Sequence, residues 1–291
     1  MIKNKVVDIV MFVYNEEKHI SEQLDSLIVQ KEFINKIIII DDFSTDDTYL
    51  KVEDYKSEIE IEFKKNKIKG KINALAYGLT LVESDYFLVC AGDDKFLENS
   101  VSQSLGYLKD TNLPFCYLNY KIVDENLENP YFINKKTKYT IKEMLNKNYA
   151  SGYIFGKKEI INAILPIEKD IPFEDWYIAL KLAVVYDGVY ILNKPMFLYR
   201  KHIGSTTYNK TKKKYLFLLE RDYKLFKILY KNDMFIKYSF LVNNKIKWFK
   251  YMLYGYSLKD IKDIFFLKNI SYKDKIKVII FKPFLKWRFD R

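Results

Sequence analysis

Two cysteines, two histidines, nine glycines and six prolines among 291 residues leave little room for several chemistries. Cys90 and Cys116 lie in apolar runs without metal-ligand spacing. They are expected to be reduced core thiols of a cytosolic protein, which excludes a disulfide framework or a cysteine-held zinc. Glycine and proline are too sparse for flexible linkers, and no internal repeat or low-complexity tract occurs. No stretch approaches the ~18 consecutive apolar residues that a membrane span requires. The opening "MIKNKVVDIVMF" is interrupted by Asp8 and carries no small-residue cleavage site, so it reads as a first strand and not as a secretion signal.

What is present is a 49% hydrophobic chain able to build a substantial core: one α/β domain of about 200 residues with an appendage. Strand patterns at 6–12, 36–40, 58–63, 86–90 and 115–118 alternate with helical patterns, among them Ile20, Leu24, Leu27 and Ile28 at i, i+4, i+7 and i+8. The run "KIIII" is continuous and β-branched, as in a strand covered on both faces. This alternation predicts an α/β fold with a mostly parallel, doubly wound sheet. Ligands of such sheets bind beyond the carboxyl ends of the strands. The pairs Asp41/Asp42 and Asp93/Asp94 stand at such ends and should face one crevice. "DDFSTDDT" offers helix caps at Ser44, Thr45, Asp46 and Asp47.

In that crevice Asp42 could accept the N3–H of uracil or thymine, and Asp93 could hold ribose hydroxyls. Asp94 could bind a hard divalent cation, Mn2+ or Mg2+, bridging a diphosphate. Singly, each of these acids reads equally well as a cap or turn residue. Glu174 and Asp175 open a helix, where acids favour the macrodipole without any catalysis. His19 reads as a surface residue, and Trp176 as either a packing or an acceptor-stacking residue.

The set "VYNEEKHISEQLDSLIVQ", "IIIDDFSTDDT", "GKINALAYGL", "DYFLVCAGDD", "FEDW" and "YRKH" resembles the family 2 glycosyltransferases of GT-A fold, in order and spacing from residue 6 to about 207. The resemblance implies a catalytic domain over 1–210, with a nucleotide-binding half to about 120 and an acceptor half beyond. Phe12, Tyr14 and Glu16 would line the base pocket, Asp42 would read the base, and Lys71 would lie near the phosphates. Asp93 would contact ribose, Asp94 and His202 the metal, and Glu174 and Trp176 the acceptor. Asp175 matches the general base of an inverting transfer from a nucleotide-sugar donor to a glycan or lipid-linked acceptor. The usual Asp-X-Asp cluster is here Gly92-Asp93-Asp94, leaving one clear carboxylate for the metal. Val13 after Phe12 stands where many members have Pro-X or Thr-X.

Residues 211–291 lie outside the resemblance and read as a basic helical region. Residues 201–291 hold 23 Lys and Arg against 7 Asp and Glu, a net +16, leaving −5 for residues 1–200. Tyr215, Leu219, Tyr223, Phe226 and Tyr230 form one helical stripe, and "SLKD" and "SYKD" resemble capping boxes. The ending "KIKVIIFKPFLKWRFDR" interleaves cations with interfacial aromatics, as a segment lying on an anionic membrane does. The alternative is an appendage packed on the catalytic domain. Nucleic acid is not expected as a partner, because no binding module accompanies the charge. The expected enzyme is cytoplasmic, peripheral to the inner membrane face, and serves surface polysaccharide synthesis. A sugar-nucleotide nucleotidyltransferase would rely on a glycine-rich N-terminal loop, which "FVYNEEKH" lacks. A non-catalytic glycosyltransferase-like binding subunit is the other alternative.

Overall fold

The computed structural model describes residues 5–168, 170–201, 212–254, 260–268, 270–272 and 274–276. The chain begins with β1 (Val7–Val13), α1 (Ile20–Ile28), β2 (Ile34–Asp41), α2 (Thr48–Glu53), β3 (Ile61–Lys65), α3 (Lys71–Thr80) and β4 (Tyr86–Ala91). It continues through β5 (Lys95–Phe96), α4 (Ser100–Thr111), β6 (Phe115–Val123), β7 (Tyr131–Phe132), β8 (Lys138–Tyr139), α5 (Ile141–Asn146), β9 (Ile154–Lys157) and α6 (Ile161–Ile164). The last elements are α7 (Glu174–Val185), β10 (Val189–Arg200), α8 (Lys212–Lys231), α9 (Ser239–Tyr254) and α10 (Asp260–Phe266).

The sheet runs β3-β2-β1-β4-β9-β6-β10-β5. The first four strands pair in parallel, as do β6 and β10. Between these blocks β9 runs antiparallel to both β4 and β6, so the sheet is mixed rather than wholly parallel. Because side chains alternate across a strand, Ile9, Met11, Ile37 and Ile39 face one layer while Val10, Ile38 and Ile40 face the other. The first layer is closed by Leu24 and Leu27 of α1 and Val101, Leu105 and Leu108 of α4. The second is closed by Ala74, Leu75 and Leu79 of α3 and by α7. Cys90 and Cys116 are free and buried, as their apolar surroundings require.

The C-terminal helices join the second layer. Leu225, Phe226 and Leu229 of α8 and Trp248 and Phe249 of α9 lie in the same core as Trp176 and Ile178 of α7. Lys245 of α9 donates to the backbone O (3.1 Å) and Oδ1 (2.7 Å) of Asn146, fastening α9 to the end of α5. The buried stripe of α8 centres on Leu219, Leu225, Phe226 and Leu229, whereas Tyr230 is exposed and Tyr223 half-buried. Of the two sequence capping boxes, that of Ser271 forms in half: the Asp274 N–H donates to Ser271 Oγ at 3.1 Å, and the Asp274 carboxylate takes the Ser271 hydroxyl. Ser257 lies outside the described residues, as do His202 and residues 277–291.

Candidate active site

Beyond the carboxyl ends of β1, β2 and β4 opens a cavity of about 1180 Å³. Phe12, Tyr14, Glu16, Asp42, Lys71, Asp93, Glu174 and Asp175 all line it. Residues separated by more than 160 positions therefore meet around one space.

One wall is held by reciprocal bonds between the loops after β1 and β2. Asn15 N–H donates to Ser44 Oγ (2.9 Å), Glu16 N–H to Thr48 Oγ1 (2.8 Å), and Thr45 N–H to Asn15 Oδ1 (2.8 Å). Asp46 accepts the N–H of Glu17 (3.1 Å) and the N–H and hydroxyl of Thr48. Of the caps expected in "STDDT", Asp47 stands at the N-cap of α2 without a side-chain bond, Asp46 takes the N–H of the first helical residue, Thr48, and the rest of the run braces the neighbouring loop. His19, expected at the surface, is buried beside Glu16, with Nδ1 3.4 Å from its carboxylate.

Asp42 is oriented by Asn66 Nδ2 (2.8 Å) and by the Gly70 N–H (2.7 Å), both donating to Oδ1. Gly70 takes φ +128°, a conformation that L side chains rarely adopt, so glycine is required where the backbone turns to meet Asp42. Tyr14 is 48% exposed, with Lys69 Nζ 5.3 Å from its ring centre. Lys71 Nζ lies 4.8 Å from the Phe12 ring centre and pairs with Glu174.

The adjacent acids after β4 part company. Asp93 lines the cavity. Asp94 is 1% exposed and does not: it accepts the Tyr153 hydroxyl and the Arg200 N–H (2.9 Å). The residue assigned to the metal from sequence is thus buried, with each carboxylate oxygen already accepting a hydrogen bond inside the protein. Burial, and then the charge of Asp93, pushes Asp94 well above the usual carboxylate range. Arg200 secures the turn: Nε donates to Asp93 O (2.9 Å), Nη1 to Glu125 O (2.6 Å), and Nη2 pairs with Glu22. A Cβ at Gly92 would come within 2.8 Å of Val13 Cγ1, so only glycine lets the turn lie against β1.

On the opposite wall, α7 presents Glu174 and Asp175 from its first turn. Asp175 accepts Asn148 Nδ2 (2.9 Å) and its neighbour's backbone N–H (2.7 Å). Burial and the nearby Glu174 push Asp175 up to about 6, against the pull of Lys71. Burial would also raise Glu174, but Lys71 outweighs it and holds Glu174 low. Lys71 moves the other way: burial lowers it, and Glu174, Asp175 and Asp93 together raise it. Trp176 is corrected from acceptor contact to packing. It is buried, donates Nε1–H to Met144 O (2.8 Å), and meets Phe226 edge-on at 5.7 Å.

Three residues that the sequence reading did not single out also line the cavity. Asn148 orients Asp175, and Arg221 arrives from α8. The buried Tyr117 hydroxyl finds no hydrogen-bond partner among the described residues. No cluster of three or more His, Cys, Asp or Glu able to hold a metal occurs among the described residues. Of the pair after β4, Asp93 alone lines the cavity, and one carboxylate there fits a hard cation that takes most of its oxygens from a diphosphate and water rather than from a protein cage.

The sequence pattern described as Glycosyl transferase family 2 matches residues 8–164, more than half of the chain, and the chain belongs to that family. It is therefore a glycosyltransferase. The UDP-Glc:alpha-D-GlcNAc-diphosphoundecaprenol beta-1,3-glucosyltransferase WfaP of Escherichia coli is 27% identical over 212 residues, covering 72% of this chain and 82% of that one. The enzyme of the same description named WfgD, also from E. coli, is 26% identical over 181 residues, or 61% and 69% of the two chains. An uncharacterized glycosyltransferase of Rickettsia typhi is 28% identical over 143 residues, and the match spans only 44% of its length. Among solved structures, S. aureus TarS 1-349 in complex with UDP-GlcNAc superposes with a TM-score of 0.63 at 15% identity, over 94% of this chain and 81% of that one. The mannosyltransferase PcManGT of Pyrobaculum calidifontis, with GDP-Man and Mn2+, gives 0.58 at 14% identity, over 97% and 82%. These likenesses establish the GT-A fold.

Proposed function

We propose that this enzyme transfers a sugar from a UDP- or dTDP-sugar to a hydroxyl of a diphospholipid-linked glycan, with inversion, in surface polysaccharide assembly. One observation carries the reading: Asp42, Asp93, Lys71 and Asp175 converge on a single cavity large enough for donor and acceptor together. The acceptor class is supported by the printed activities of WfaP and WfgD.

In this reading the pyrimidine enters between Tyr14 and Phe12, and its N3–H donates to Asp42, which the Asn66 and Gly70 donors hold in place. Asp93 is the carboxylate that would hold a divalent cation, whose bound charge would offset that of the departing diphosphate. His202, assigned to the same ion from sequence, lies outside the described residues. Lys71, standing between Glu174 and Asp93, adds a fixed positive charge where negative charge develops on the leaving group. Asp175, ionised above about pH 6, takes the proton from the acceptor hydroxyl as that oxygen attacks the anomeric carbon. Asn148 keeps its carboxylate aimed during the transfer. A single displacement of an α-linked donor leaves a β-glycoside.

No helix among the described residues is long and apolar enough to cross a membrane. A lipid-linked acceptor would instead be met at the bilayer surface by the basic C-terminal region. Exposed Phe240, Phe265, Phe266 and Tyr272, with Lys268 Nζ 5.5 Å from the Phe240 ring, support this contact. Co-sedimentation with anionic and neutral vesicles checks it: anionic vesicles should retain the protein, and equal retention on both would reject an electrostatic contact.

The central test is Asp175→Asn assayed against a panel of nucleotide sugars. Transfer should be abolished while nucleotide affinity stays within a few-fold of wild type. Near wild-type turnover would remove Asp175 from the mechanism.

A further inference from the structure

The acceptor wall contains a cation that family membership does not account for, since it comes from α8, beyond the matched residues 8–164. Arg221 lines the cavity, with its guanidinium carbon 4.0 Å from the Phe173 ring centre and 5.5 Å from that of Phe217. Phe173 immediately precedes Glu174 and Asp175. Lys71, the other cation beside these acids, is paired with Glu174. Among the described residues, by contrast, none forms a hydrogen bond or close ion pair with Arg221. A guanidinium stacked on an aromatic face keeps its edge N–H groups available, and their fork geometry matches two oxygens of a phosphate. Glu174, Asp175 and Asp222 act on its charge from nearby, and the half-buried setting strengthens the attraction of its N–H groups for a phosphate.

We propose that Arg221 is a specificity residue for a phosphate carried by the acceptor, taken on the same wall as the base that receives the acceptor hydroxyl. The inference rests on the reading of Asp175 as that base. Lys71, the cation assigned to the donor diphosphate, is already engaged with Glu174, whereas Arg221 enters from α8, so the proposal gives its phosphate to the molecule being glycosylated and leaves UDP affinity to test the division. A sugar joined to a diphosphate would then present its hydroxyl to Asp175 and its first phosphate to Arg221. Glu174 and Asp175 contribute a second effect, because their negative charge would repel a phosphate that approached without Arg221.

The experiment compares two synthetic acceptors, an alkyl diphosphate-linked N-acetylglucosamine and the alkyl N-acetylglucosaminide without phosphate, using wild type, Arg221→Gln and Arg221→Lys. Wild type should prefer the diphosphate acceptor by about 10- to 100-fold in kcat/KM, the span of a charge-assisted contact. In Arg221→Gln that preference should collapse towards unity through KM, and in Arg221→Lys it should be partly retained. UDP affinity, measured by calorimetry, should change less than about threefold, which also confirms that the variants are folded. The proposal is overturned if Arg221→Gln keeps the preference, or if wild type shows none. It is also overturned if UDP affinity falls with the substitution, which would assign the phosphate to the donor. Equal loss of kcat on both acceptors would mark Arg221 as a prop for Phe173. Transfer that persists in Asp175→Asn would instead sink the base assignment, so the two failures are separable.

Discussion

At the scale of single residues, the site turns on one acid set apart from its neighbours. In the proposed mechanism Asp175 must be ionised to accept a proton, and burial together with Glu174 pushes it up to about 6. The logarithm of kcat/KM should therefore fall with unit slope as pH drops below about 6, and level off above it. Asn148→Ala removes a hydrogen bond that favours the carboxylate. Its acid limb should move to higher pH, and a pH–rate profile of the two proteins checks this. The same displacement carries a cost in stability. Asp175 has a folded pKa above its unfolded one, so its ionisation destabilises the fold at neutral pH and has no effect below about pH 4, where both states are protonated. Asp175→Asn should gain up to about 3 kcal/mol above pH 6 and nothing below pH 4, as thermal melts across pH would show. Tyr117→Phe, which deletes an unsatisfied buried hydroxyl, should likewise raise stability, by about 1 kcal/mol. The acids of the site were legible as a set in the sequence, but their individual orientations were not. Asp93 and Asp94 are neighbours at a strand end, and which one turns inward depends on Arg200, at the end of β10, and Tyr153, just before β9. Trp176 follows Asp175 on a helix, and a step of one residue rotates a side chain by about 100°, from cavity to core.

At the scale of elements, the alternating strands and helices were readable because their periods are local properties of the chain. The insertion of β9 between β4 and β6 was not, since its pairing partners lie 37 and more residues away. The polar break at Asp8 also has a nonlocal meaning. Its buried carboxylate accepts Glu83 N–H (2.7 Å), Ser84 N–H (2.9 Å), Ser84 Oγ (2.8 Å) and Asn35 Nδ2 (3.0 Å), tying β1 and β2 to the turn before β4. Burial alone would raise Asp8, but these four donors outweigh it and hold it below the usual range. A depressed folded pKa stabilises above the unfolded pKa, near 4, and the benefit disappears as pH falls through the folded value. Asp8→Ala should cost about 2–4 kcal/mol at pH 7, and the deficit should shrink below pH 4 in denaturant titrations.

At the scale of the whole molecule, the basic third divides its residues between two tasks. Some of its apolar side chains, among them Leu225, Phe226, Leu229 and Trp248, enter the core of the catalytic layer, while Phe240, Phe266 and Tyr272 stay exposed. The helix α8 was visible from its spacing, but among the described residues of the expected stripe only Leu219 and Phe226 are buried, because a helix face alone does not say what covers it. Phe226→Ala should destabilise the entire chain by about 3–5 kcal/mol in a single unfolding transition, and not only the helices after residue 211. Two separate calorimetric transitions would contradict this shared core.

The placement of α8 has a further consequence for how such enzymes diverge. The chamber's two halves are written in different stretches of the polypeptide, one within roughly the first hundred positions and the other ending in a helix after position 211. A graft exchanging the distal helices between relatives should carry the taste for one recipient molecule to another while the activated sugar stays the same. New linkages could then arise by recombination at a seam the chain already possesses, without redesign of the pocket that reads the nucleobase.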